Sequence, residues 1–112
     1  VGVVTMTTLG KVRRFERYLK LTNGHADKTV DAVLDKLLDR KRAELTQHRN
    51  DMLVELAAFE KRYGIESSQF FEKFQLGELG DAADFFDWSA TWQMYNSVEK
   101  YLHALSDEPL AV

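Results

Sequence analysis

The chain has 112 residues, a net charge of −3, 29% charged and 12% aromatic side chains, one proline and no cysteine. That length makes one domain with a modest core, and the lack of cysteine excludes disulfides, thiolate metal sites and thiol nucleophiles. Apolar residues are broken by charges every few positions, and the opening VGVVTMTTL is too short to span a bilayer, so no membrane span, no signal peptide and a cytoplasmic location are expected.

Charge is spread unevenly. Residues 1–56 carry 11 basic and 8 acidic side chains, net +3, while residues 57–112 carry 4 and 10, net −6. The two halves could attract each other within one molecule or between molecules.

In chain order, the N-terminal segment 1–26 holds a short basic helix at 9–22, with Leu9, Val12, Phe15 and Leu19 at spacings of three or four. Lys11, Arg13, Arg14 and Arg17 make it a candidate nucleic-acid contact, although no helix-turn-helix or ribbon reader accompanies it. The alternative is a solvated basic face. Asn23-Gly24-His25 signals a turn.

Residues 28–63 read as one long helix. Asp27 suits its N-cap, Asp31 its dipole, and Lys61 and Arg62 its C-terminal end, with Gly64 placed for a left-handed cap. Thirty-six residues would give a rod of about 54 Å. Val30, Leu34, Leu37, Leu38, Leu45, Met52, Leu56, Phe59 and Tyr63 fall in an arc of about 100°, a single seam interrupted by Lys41 and His48. A homodimer is expected along Leu34, Leu37, Lys41, Leu45, His48 and Met52, because the shorter last helix cannot cover a seam this long.

A short helix follows at 67–76, capped by Ser67 or Ser68 and ended by Gly77 and Gly80. Asp81 is placed to cap the last helix, 82–105. That helix has two apolar stripes. One is Phe85, Trp88, Trp92, Tyr95 and Leu102. The other is Phe86, Ala90, Met94, Val98, Tyr101 and Leu105. One neighbouring helix cannot cover both. The expected fold is all-α, a single domain built on a long-helix antiparallel hairpin with short accessory helices and a coiled-coil-like seam.

No serine–histidine arrangement and no phosphate-binding glycine loop is present, so neither an enzyme nor catalytic residues nor a cofactor is expected. Asp81, Asp84 and Asp87 lack calcium-loop geometry, and His25, His48 and His103 lack ligand spacing, so no metal site is expected either.

The segment FQLGELGDAADFFDWSATWQMY (74–95) carries six of the chain's aromatics and four acids. With LDKLLDRKRAEL (34–45) and FEKRYGIESSQFFEKF (59–74), it resembles a family of small helical bacterial and archaeal proteins. Their shared segment runs G-E-L-G-D-x-x-D-F-x-x-W, and they are associated with the antitoxin side of toxin–antitoxin gene pairs. The resemblance covers about residues 30–105. It implies that the chain binds and neutralises a separately encoded toxin, as a homodimer or hetero-oligomer. Phe74, Phe85, Trp88, Trp92 and Tyr95 would then anchor the partner, while Glu78, Asp84 and Asp87 would supply complementary charge. Read from the residues alone, the same aromatics at helical spacing are core residues, and acids at a helix start are ordinary. The other functional readings are a homodimeric coiled-coil scaffold or adaptor, and a small nucleic-acid-binding regulator using residues 11–20.

Overall fold

The computed structural model describes residues 7–22 and 28–106; the expected Asp27 cap and the turn at 23–25 lie outside them. Among the described residues there are four helices and no strand: α1 (Thr8–Leu21), α2 (Lys28–Tyr63), α3 (Ser67–Gln75) and α4 (Ala83–Ala104). The chain divides into two compact units, 1–37 and 38–112. α2 contributes its first ten residues to the first unit and the rest to the second.

In the first unit, α1 starts with the Thr7 hydroxyl accepting the Gly10 N–H at 3.0 Å, which satisfies one of the free donors of the first turn. It stops at Thr22, whose hydroxyl donates to the Leu19 carbonyl at 2.8 Å. No residue of α1 is buried.

The second unit is an antiparallel hairpin of α2 and α4, with α3 folded back on it. Arg62 Nη1 reaches Asp84 Oδ2 at 3.0 Å, the Thr91 hydroxyl donates to Glu55 at 3.4 Å, and Arg49 Nε lies 3.7 Å from Glu99. Contacts that move down α2 thus move up α4, which defines the antiparallel direction. α2 stops at Gly64, which adopts φ +68°; only glycine enters that region without strain. α3 ends in a Schellman turn. The Glu78 N–H bonds the Lys73 carbonyl at 3.1 Å and the Gly77 N–H bonds Phe74 at 3.0 Å, with Gly77 at φ +74°.

Neither expected cap forms, and at α3 a tertiary contact takes its place. Neither Ser67 nor Ser68 caps α3. The cap position is Glu66, which makes no side-chain bond, and the carboxylate of Glu60, one helix earlier, accepts the Ser67 N–H at 2.8 Å. Likewise Asp81 does not cap α4. Ala82 holds that position without a side-chain bond.

The core of the hairpin is Leu56, Phe70 and Trp88, one residue from each of three helices. Trp88 lies flat on Phe70, with ring centroids 3.8 Å apart and planes 4° from parallel, and it also stacks on Phe59 at 5.5 Å. Its indole N–H donates to the Ser67 hydroxyl at 2.9 Å, with both groups buried. A buried indole needs such a partner, since an orphaned donor costs about 1–3 kcal/mol. Ser67 thus gives up the capping role and holds Trp88 instead.

Candidate protein-binding surface at the α3–α4 corner

α3 decides which aromatics of the 74–95 segment stay on the surface. It lies against the side of α4 that carries Phe85 and Trp88. Trp88 is completely buried, so it is a core residue and offers no surface to a partner. Phe85 is half-buried between Phe70, at 5.6 Å, and Tyr63, at 5.3 Å. Trp92 and Tyr95 are half-buried, stack on each other at 5.8 Å and pack against the same core. Phe74 is half-buried, stacked on Phe70 at 5.5 Å.

The aromatic that faces outward is one the sequence pattern placed on the second stripe. Phe86 is 56% exposed and meets the ring of Phe74 edge-on at 5.4 Å. Leu76, in the turn after α3, is 68% exposed and shares a shallow groove with Glu72, Lys73 and Glu78. Leu76 and Phe86 were not among the expected anchors. The two-stripe pattern was the available signal for Phe86, because one neighbouring helix cannot cover both stripes. Leu76 sits in a turn and had no periodic signal.

The acids also divide. Glu78 and Asp87 are exposed. Asp84 faces inward to the hairpin, where its Oδ2 accepts from the Tyr63 hydroxyl at 2.6 Å and from Arg62 at 3.0 Å. That hydrogen bond, with some burial and the nearby carboxylate, holds the Tyr63 phenol above its ordinary pKa, while Arg62 opposes the shift. Asp87 lines a groove between α2 and α4 with Glu55, Arg62 and Thr91.

The expected seam residues fall into different settings. Met52 is buried and Leu45 half-buried in the hairpin, while His48 is exposed. Leu45 and His48 border an open groove of about 570 Å³ with Met94, Val98 and Tyr101. Lys41 is exposed and bonds Glu44 at 3.0 Å, which lowers the pKa of that carboxyl. Leu34 and Leu37 belong to the first unit and are exposed. Lys11, Arg13, Arg14 and Arg17 are all exposed on α1.

Among the described residues, no group of three histidines or carboxylates could hold a metal ion, and no helix is long and apolar enough to cross a membrane. No protein-family model, curated protein or solved structure matches the chain.

Proposed function

We propose that this protein binds another protein through the corner between α3 and α4, and that the partner is a separately encoded toxin which it neutralises. The observation that carries the binding reading is the exposure of Phe86, against the Phe74 ring, and of Leu76, in a groove with Glu72, Lys73 and Glu78. Large apolar side chains on the surface with acids beside them suit a partner with an apolar pocket and a basic rim. The buried Trp88–Phe70–Leu56 core holds this corner rigid, so little order need be gained on binding. The toxin assignment rests on the resemblance carried by the G-E-L-G-D-x-x-D-F-x-x-W segment, which runs from Gly77 to Trp88, contains Glu78, Phe85, Phe86 and Trp88, and directly follows Leu76.

The test is co-expression of the tagged chain with its neighbouring genes in the native host. The expected result is one small basic protein retained in near-equal amounts, whose growth arrest the chain relieves. Leu76→Glu combined with Phe86→Glu should abolish retention and relief while leaving the melting temperature of the free chain within about 4 °C. Retention unchanged by that double variant would rule out this corner as the binding surface. A retained partner that does not arrest growth would remove the toxin assignment and leave a scaffold or adaptor.

A further inference from the structure

The two sides of α1 meet different surroundings. Val12, Phe15 and Leu19 border an apolar notch of about 350 Å³ together with Leu34 of α2, so this stripe is the side of α1 turned to the head of α2. At about 100° per residue, Arg13, Arg14 and Arg17 fall roughly 125–170° round the helix from the middle of that stripe. The basic side therefore points away from α2. Lys20 lies at one edge of it, and Lys11 and Tyr18 lie at the other. All of these side chains are exposed.

The charge surplus of this unit is confined to α1. That helix carries five basic side chains against Glu16 alone, net +4, while residues 28–37 of α2 carry Lys28 and Lys36 against Asp31 and Asp35, net zero. Lys20 bonds Glu16 at 3.0 Å on the surface, a contact that water and salt keep weak. Arg13 and Arg17 make no ion pair among the described residues. In a chain of net charge −3, so much positive charge on one helix suits a polyanion. Tyr18 narrows the class. It is 55% exposed, its ring rests against Phe15 at 5.7 Å, and it follows Arg14 by one turn and Lys11 by two. An exposed ring among cations suits an unstacked base held between phosphate contacts. A duplex keeps its bases stacked on one another and offers such a ring no face. An anionic lipid surface would need the apolar stripe to enter the acyl boundary, and that stripe faces Leu34. We infer that α1 binds single-stranded nucleic acid, with Arg13 and Arg17 on phosphates and Tyr18 stacked on a base. This inference is independent of the α3–α4 corner.

Fluorescence anisotropy of the full chain with labelled 20-mers tests it, using a deoxy strand, a ribo strand, the DNA duplex and, separately, vesicles of anionic phospholipid. The expected result is tighter binding to the single strands than to the duplex, with log K falling against log salt at a slope of about −2 or steeper. A preference for the deoxy or the ribo strand supports the inference and identifies the source. Arg13→Gln with Arg17→Gln keeps helix propensity. It should raise the Kd about tenfold or more and make the slope shallower by about 1.4. Tyr18→Ala should raise the Kd about fivefold or more, while Tyr18→Phe, which can still stack, should stay within about twofold of wild type. Circular dichroism checks that each variant keeps its helices. No binding by about 100 μM chain in about 50 mM salt overturns the inference, as does a salt slope that the double variant leaves unchanged. Equal or tighter binding to the duplex, or Tyr18→Ala at wild-type Kd, also overturns it. Binding to the vesicles in place of the strands would overturn it in favour of a lipid surface. Salt-sensitive self-association that captures no probe would overturn it in favour of the chain's own acidic half.

Discussion

The two units are made of the same kind of helix and differ in what covers them. In 38–112, three helices converge on Leu56, Phe70 and Trp88, and α3 closes the side of α4 that faces it. In 7–37, two helices share an apolar notch and no described side chain is buried. The hairpin is therefore held by burial, worth about 1.5–3 kcal/mol per large side chain. The first unit relies on helix propensity, the Thr7 cap and whatever docks on it. Periodic apolar residues are common to both, so amphipathicity says that a face will be covered and leaves the cover open.

Substitutions can break this contrast. Trp88→Ala should cost about 3–5 kcal/mol in thermal or denaturant unfolding, because it removes the largest buried side chain and leaves a cavity against Phe70. A loss near 1 kcal/mol would mean that α3 does not pack as described. Ser67→Ala should cost about 1–3 kcal/mol by orphaning the Trp88 indole N–H. Made in a Trp88→Phe background, which has no indole to orphan, the same Ser67→Ala change should lose most of that cost.

Gly64→Ala should cost about 1 kcal/mol. A Cβ there meets nothing within 4 Å, so the cost comes from φ +68° alone. Val12→Ala, in the first unit, should move the hairpin melt followed by tryptophan fluorescence by no more than about 0.5 kcal/mol. Hydrogen exchange sharpens the same contrast, with α1 amides expected to exchange well before those beside Leu56 and Phe70.

The smallest effect is a pH dependence at the Tyr63–Asp84 contact. The raised pKa of Tyr63 means that its contribution is complete below the phenol's unfolded pKa of about 10 and is lost as pH rises through the folded value. Denaturant unfolding of wild type and Tyr63→Phe should therefore converge above that range and differ below it. A difference that grows with alkalinity would contradict the Tyr63–Asp84 hydrogen bond.

The resemblance and the residue pattern pointed to the same segment, 74–95, but neither could sort its aromatics. Phe85, Phe86, Trp88 and Trp92 look alike on a helix with apolar residues over most of its circumference. The sorting depends on where α3 lies, and α3 is placed by contacts with other helices, Glu60 to Ser67 and Ser67 to Trp88. The same contacts explain the misplaced cap of α3. A serine before a helix reads locally as a cap, and only a tryptophan 21 residues away turns it into a core hydrogen-bond partner.

What the amino-acid sequence determined by itself is local: four helical segments, stops at Gly64 and Gly77, and an all-α chain. Helix periodicity and left-handed glycines act over a few residues, so their signals survive in the linear pattern. What the tertiary structure decided is which face each helix buries. Trp88 went inside, stacked under Phe70 of α3, while Phe86 meets α3 only at the edge of the Phe74 ring and stays exposed. Burial is a property of neighbours, and neighbours are set by the fold rather than by spacing along the chain.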